Sequence, residues 1–322
     1  MKLIGIMSPC FNEQDSVEQL YERTRTVFEK LPQYSFELTF IDNASTDQTL
    51  NVIRKLAQKD KRVKAIVNNR NFGPLRSPYH CLLQVKGDAI ISVASDLQDP
   101  PELIPKLLEL WEGGEKLVAA VKTQSNENPF VYVLRTLYYK ALNKIADVEL
   151  IEHFTGFGLY DRVVVEELRK TNDRFPYVRG LVSELGFKAA TVPYVQPNRE
   201  HGKSRLRLFD LYDIAMSGLT THSILPMRCA TFLGFILALL SLVVALFYFV
   251  YKLLYWTSFD VGVAPLVIGM FGIFSVQLIF IGLLGEYIGA THLQVLNRPY
   301  VVERERINFE QAAEHNAELP SS

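Results

Sequence analysis

Two long stretches without a charged residue, Ala230 to Tyr251 and Val261 to Gly285, constrain this chain more than any other feature. Each exceeds the roughly 20 residues that a helix needs to cross a bilayer. Both therefore read as transmembrane helices. The connection from Lys252 to Asp260 is too short for a domain, so the pair forms a hairpin that returns the chain to the side it left. Arg205, Arg207 and Arg228 precede the hairpin and Arg298, Arg304 and Arg306 follow it, a bias that places both ends in the cytoplasm.

A chain of 322 residues leaves ample length for a soluble domain ahead of that hairpin. The net charge of -1 gives no global field that would favour nucleic acid. Cys10, Cys81 and Cys229 are widely separated and have no metal-ligand spacing, so they read as reduced thiols rather than a disulfide framework. Met1 to Ile6 runs straight into a strand and lacks the apolar core of a secretion signal, which keeps the expected catalytic part inside the cell.

Strands are expected at Lys2 to Pro9, Phe36 to Asp42, Val63 to Val67, Ala89 to Ala94, Lys116 to Val121 and Lys188 to Val195. Helices are expected from about Gln14 to Leu31 with Asn12 as cap, and to about Lys59 from a capping box of Ser45 and Gln48. Further helices are expected from Asn128-Pro129 to about Ala146 and from Tyr177 to Leu185. Alternation of this kind predicts an α/β unit with a mostly parallel sheet covered on both faces. Function then belongs on the loops that follow the strands: Cys10 to Glu13, Asp42 to Asp47, Asn68 to Arg76 and Ser95 to Asp99.

The last of these loops ends an apolar run in acid and proline, Ala89-Ile90-Ile91-Ser92-Val93-Ala94-Ser95-Asp96-Leu97-Gln98-Asp99-Pro100-Pro101-Glu102. Asp99 suits a helix N-cap, with Pro100 in the first turn and Glu102 completing a capping box. Asp96 lies before that cap, at the strand's carboxyl end, where a carboxylate suits a divalent cation held against a diphosphate. In Thr155-Gly156-Phe157-Gly158-Leu159 the glycines permit either a close backbone approach or a plain strand bend. Arg199, Lys203 and Arg205 form a basic loop before an amphipathic segment from Leu206 to Leu219. Two readings stand for it, attraction to anionic headgroups and a clamp for a lipid-borne phosphate.

Pro9-Cys10-Phe11-Asn12-Glu13, Asp42-Asn43-Ala44-Ser45-Thr46-Asp47, Arg70-Asn71-Phe72-Gly73, Asp96-Leu97-Gln98-Asp99-Pro100-Pro101 and Arg199-Glu200-His201-Gly202-Lys203-Ser204-Arg205 stand in an informative order. With the membrane hairpin, the chain resembles glycosyltransferase family 2, in the branch of polyprenyl-phosphate sugar transferases, over about residues 1 to 300. The resemblance implies a GT-A fold in residues 1–204, an amphipathic juxtamembrane helix in 205–228, a two-helix transmembrane hairpin in 229–288 and a cytoplasmic tail in 289–322. It implies inverting transfer of one sugar from a nucleotide sugar, a UDP-hexose by expectation, to undecaprenyl phosphate at the cytoplasmic face of a bacterial inner membrane. By motif, Pro9, Asn12, Glu13, Asp42 and Asn71 match the nucleotide-sugar loops, and Asp42 matches the acid that binds the base. Asp96 matches the acid that holds Mg2+ or Mn2+, Gln98 its neighbour near the sugar, and Asp99 completes the catalytic segment. Arg199, Lys203 and Arg205 match the basic loop near the phosphates.

Three departures from the family pattern stand out. Ala94 replaces the first acid of the usual metal motif, Asn43 replaces the second acid after strand two, and Gly156-Phe157-Gly158-Leu159 replaces an Asp-Phe-Arg-Leu motif. Ala94 and Gly156 motivate an alternative, a membrane-anchored binding protein that has lost catalysis. A polysaccharide synthase is a weaker alternative, because neither Trp111 nor Trp256 lies in a Gln-x-x-Arg-Trp motif. Small residues at Gly262, Gly269, Gly272, Gly282 and Gly285 suit close helix contact, within the hairpin or in a homo-oligomer.

Overall fold

The computed structural model describes residues 1–124, 151, 153–171, 173, 176–197, 225–255, 263–296, 299 and 301–309. Four strands, β1 (Lys2–Cys10), β2 (Tyr34–Asp42), β3 (Val63–Asn68) and β4 (Ala89–Ser92), are rich in apolar residues because both their faces are covered. They are linked by α1 (Val17–Glu29), α2 (Thr49–Lys59) and α3 (Gly73–Gln84). There follow α4 (Ile104–Glu112), β5 (Leu117–Gln124), β6 (Phe154–Asp161), α5 (Arg162–Thr171), α6 (Val178–Glu184) and β7 (Ala189–Val195). Two long helices, α7 (Leu225–Leu254) and α8 (Val263–Val295), precede a last strand, β8 (Glu303–Ile307).

The strands form one sheet in the order β7-β5-β6-β4-β1-β2-β3-β8. Pairings within β4-β1-β2-β3 and between β5 and β7 are parallel, whereas β6 runs antiparallel to β4 and β5, and β8 antiparallel to β3. The expected mostly parallel sheet is thus present. Period-two alternation divides the core into two layers. Phe40 and Ile91 face Leu20, Ile53 and Leu107 of α1, α2 and α4, while Ile41 and Ile90 face Leu82, Val165 and Leu181 of α3, α5 and α6. Truncating a fully buried member such as Ile53 to alanine costs about 2–5 kcal/mol.

By contacts the chain forms two units. The first comprises residues 1–139, 148–207 and 297–322, and holds the sheet; the second comprises residues 140–147 and 208–296, and holds α7 and α8. These helices have 30 and 33 residues, and lengths of about 45 and about 50 Å at the α-helical rise. Among the described residues, one 18-residue stretch, Gly272–Gly289 in α8, is apolar enough to cross a membrane, and none of it is buried. Of the two expected spans, α8 thus contains a stretch of sufficient length and apolarity, and the described apolar stretch of α7, Met227–Leu237, is shorter.

Three expected caps are absent. Asn12 does not cap α1, which is started by the Glu13 carbonyl accepting the N–H groups of Ser16 and Val17. Ser45 and Gln48 form no capping box, because the Ser45 hydroxyl accepts the Asn12 N–H instead. Asp99 caps nothing either: a 3-10 turn at Pro101–Leu103 leads into α4, and Glu102 is drawn away to Arg23. Asn12 and Ser45 are spent on contacts between the β1 and β2 loops, and Asp99 on the Ala94 N–H of its own loop and the Tyr194 hydroxyl of β7. The structure also adds α3, β6, α5 and β8. Pro78 lies inside α3, which persists because Tyr79, Leu82 and Leu83 are buried and the Tyr79 hydroxyl donates to the Leu168 carbonyl at 2.7 Å. The helix expected at 128–146, the segment 206–219, and Arg199, Lys203 and Arg205 lie outside the described residues.

Candidate active site at the carboxyl ends of the parallel strands

Because β4, β1, β2 and β3 are parallel, their carboxyl ends set four loops along one edge of the sheet, where open α/β sheets bind ligands. Pro9, Asn12, Glu13, Asp42, Asn71, Asp96, Gln98 and Asp99 all lie on this edge. Three of the loops place a residue other than glycine at positive φ: Asn12 at 58°, Ala44 at 61° and Leu97 at 62°. Such residues cost about 1–3 kcal/mol each and persist only where their surroundings fix them.

On the β1–β2 side the fixing is done by cross-loop hydrogen bonds. Asn12 Oδ1 accepts the N–H groups of Thr46 at 2.7 Å and Asp47 at 3.3 Å, and the Glu13 N–H donates to Thr49 Oγ1 at 2.8 Å. The Asp42 carboxylate, fully buried, accepts the Ser45 N–H at 3.2 and 3.3 Å. Burial raises its pKa, and the Ser45 hydrogen bonds and the charge of Arg304 oppose that rise. Asn43 ties the β2 and β3 loops together. Its Oδ1 accepts from Asn68 Nδ2 at 3.0 Å and from the Phe72 N–H at 2.9 Å, and its Nδ2 donates to Asn71 Oδ1 at 2.9 Å. An amide can both donate and accept, so asparagine in place of the family's second acid builds this link where a carboxylate would only accept.

The loop after β4 alternates its side chains inward and outward. Ser95, Leu97 and Asp99 are buried, whereas Asp96 and Gln98 are half-buried between them. Ser95 Oγ donates to the Pro9 carbonyl at 2.8 Å, which joins this loop to β1. Asp96 Oδ1 accepts the Gln98 N–H at 3.2 Å. Asp99, only 7% exposed, accepts the Ala94 N–H on Oδ2 at 3.1 Å and the Tyr194 hydroxyl on Oδ1 at 3.0 Å. Burial pushes its pKa up to about 6; nearby Asp96 adds to the rise, and the Ala94 N–H, Lys122 and Tyr194 limit it. Tyr194 is itself set edge-on against Phe157, ring centroids 5.4 Å apart. Asp99 is thus held by the fold, and Asp96 is the acid of this loop left toward the edge.

Among the described residues no three potential metal ligands cluster together. The described residues of this site do not by themselves make a full set of ligands for a divalent cation. One bound by Asp96 and completed by substrate phosphates and water does fit, which is the usual pattern for Mg2+.

The glycines of β6 answer the question left open by the sequence. A Cβ on Gly158 would stand 2.3 Å from the Val118 carbonyl oxygen of β5, so no larger residue fits there. Gly156 adopts φ +101°, next to a register shift between β5 and β6. The family's Asp and Arg are therefore replaced by residues on which the β5–β6 pairing depends. Sequence reasoning also missed Asn43, Ser95 and Tyr194 as organisers of the edge. Asn43 stood in plain view as a departure; Tyr194 gave no signal, because its partner is 95 residues away.

The sequence matches the family description Glycosyl transferase family 2 over residues 6–169. It is 32% identical over 303 residues to a prophage bactoprenol glucosyl transferase homolog of Escherichia coli K12, covering 94% of this chain and 98% of that one. A prophage-derived bactoprenol glucosyl transferase of Shigella flexneri gives 32% identity, with 94% and 97% covered. Among solved structures, a mannosyltransferase from Pyrobaculum calidifontis aligns with 92% of this chain and 88% of its own at a TM-score of 0.46 and 14% identity. A match across half the chain, joined to relatives similar along nearly the whole of it, makes this protein a member of glycosyltransferase family 2 and a glycosyltransferase.

Proposed function

We propose that the enzyme transfers a single sugar, with inversion, from a nucleotide sugar to a polyprenyl phosphate, undecaprenyl phosphate in a bacterial inner membrane. The observation that carries this reading is the reach of the similarity to bactoprenol glucosyl transferases, which spans both the α/β unit and the apolar unit. The donor is read as a UDP-hexose, its base on Asp42 and its remaining contacts on Pro9, Asn12, Glu13 and Asn71. Asp96 would hold a Mg2+ or Mn2+ ion, and Gln98 would lie near the sugar. Arg199, Lys203 and Arg205 are assigned to the phosphate of the lipid.

The acceptor needs no general base. A phosphate monoester has a second pKa near 6 and is largely dianionic at neutral pH. One of its oxygens attacks the anomeric carbon; the bond from that carbon to the donor's diphosphate oxygen breaks, and the nucleoside diphosphate leaves with the electron pair. No proton moves. The chain's residues orient the two partners and stabilise the charge that develops on the leaving group. A divalent cation, when bound, supplies further neutralisation there. Ala94 and Gly156 are therefore compatible with catalysis.

Chain path supports two membrane crossings. The chain leaves the α/β unit before α7 and rejoins it at Asn297 to form β8. If α8 crosses a bilayer, a second crossing must bring the chain back, and among the described residues α7, with 30, is a second helix long enough. The exposed Phe232, Phe235, Leu278 and Ile279 fit contact with lipid. Full-length protein incubated with radiolabelled UDP-glucose, UDP-N-acetylglucosamine or GDP-mannose and undecaprenyl phosphate should label the lipid with one of these sugars. No labelled lipid with any donor would favour the catalytically impaired alternative.

A further inference from the structure

Arg304 is the extra residue of a β-bulge at the outer edge of the sheet. Val67 of β3 faces Glu305, yet the next residue, Asn68, faces Glu303, which leaves Arg304 without an opposite number. Side-chain contacts show the same slip. Glu303 and Arg306 both reach α3, at His80 and Gln84, whereas Glu305 reaches Arg54 of α2. Unbroken alternation would put residues 303 and 305 on one face and residue 306 on the other. Bulges re-aim side chains in this way, and they concentrate at sheet edges beside active sites.

The other charged residues of β8 are all engaged: Glu303 with His80 and Arg306, and Glu305 with Arg54. Arg304 is exposed and has no hydrogen bond or ion pair among the described residues. Its position is nevertheless fixed, since the Asn69 N–H donates to the Val302 carbonyl at 2.9 Å, pinning β8 to the loop after β3. Asp42 pairs in register with Val67, and Val67 with Glu305, so Arg304 follows one register step from Asp42 and two strands away. That separation is about 10 Å between backbones, within reach of a guanidinium and a bound ligand between them.

We infer that Arg304 is a donor-recognition residue, which reads the nucleobase of the nucleoside diphosphate together with Asp42. The inference rests on the proposed role of Asp42. Strand order sets Asp96 and Arg304 on opposite sides of Asp42, so Arg304 serves the base end of the donor rather than its diphosphate. Uracil and guanine each present an N–H flanked by a carbonyl oxygen. A carboxylate accepts from the first while a guanidinium donates to the second. The residue comes from beyond residues 6–169, so the donor site is completed by chain that follows the apolar unit.

The test is calorimetric titration of full-length protein in detergent with UDP, GDP and the matching monophosphates. Arg304→Ala should weaken whichever nucleotide the wild type binds by about tenfold, the worth of one charge-assisted hydrogen bond. The loss should be the same for the monophosphate, the donor KM should rise by a similar factor, and kcat and the thermal midpoint should hold. Arg304→Lys should recover part of the affinity. Unchanged affinity in Arg304→Ala would overturn this inference alone, as would a loss seen with the diphosphate and absent with the monophosphate. A wild type that binds neither UDP nor GDP would overturn the reading of Asp42 and this inference with it.

Discussion

The two sides of the strand edge are organised by opposite means. The β1–β2–β3 side is locked by amides: Asn12 and Asn43 bond to neighbouring loops, and Asn71 Oδ1 accepts from Asn43 Nδ2 and from the Gly73 N–H of its own loop. The β4 side carries two carboxylates three residues apart, one half-buried and the other held inside by Ala94 and Tyr194. Neutral groups rigidify a surface at little electrostatic cost, and Asp42, a carboxylate buried among them, is compensated by the Ser45 N–H. On the β4 side Asp96 stays half-exposed to water, and Asp99 inside it is restrained by hydrogen bonds. Amide links thus hold the β1–β2–β3 loops in shape, whereas the β4 loop keeps a carboxylate, Asp96, half-exposed at the edge.

The comparison can be broken most severely by removing metal ions. Excess chelator should lower sugar transfer by at least about 100-fold, restored by Mg2+ or Mn2+, as expected when charge on a leaving group goes unneutralised. Wild-type turnover in chelator would strip the β4 side of its proposed role. Next in size is Asp99→Ala, which removes the acceptor of both the Ala94 N–H and the Tyr194 hydroxyl. It should destabilise the fold by about 2–3 kcal/mol in denaturant unfolding. Asn43→Ala should cost about 2 kcal/mol and also weaken nucleotide binding, because the β2 and β3 loops lose their common link. Tyr194→Phe removes one hydrogen bond to Asp99 and should cost about 1 kcal/mol.

A finer signature lies in the pH dependence. The folded pKa of Asp99, about 6, lies above its ordinary 3.8. The folded state then holds the proton more tightly, so this residue's contribution to stability falls as pH rises from 3.8 through about 6 and levels off above. Asp99→Asn should flatten that part of the stability profile of the ligand-free protein. An unchanged slope would show that Asp99 titrates as an ordinary carboxyl.

Much of the α/β unit was legible because its strands are short apolar runs separated by helices of the right length. Asp96 was legible for the same reason, as a carboxylate at the end of such a run. What escaped depended on partners distant in the chain. β8 is Glu-Arg-Glu-Arg-Ile, whose charges suit an edge strand and hide it from any apolar pattern. Capping rules failed at Asn12 and Ser45 because their side-chain oxygens accept N–H groups across loops, and at Asp99 because its carboxylate accepts from the Ala94 N–H and the distant Tyr194 hydroxyl. Gly158 was ambiguous until β5 was seen lying against it.

Parallel study of Asp96→Asn and Asp99→Asn tests the division of labour most directly, with sugar transfer to undecaprenyl phosphate and the thermal midpoint measured on both. The account predicts that Asp96→Asn loses transfer by at least about 100-fold with an unshifted midpoint. Asp99→Asn should keep measurable transfer and alter the pH dependence of the midpoint. Full transfer in Asp96→Asn, or a collapse of its fold, would contradict the account.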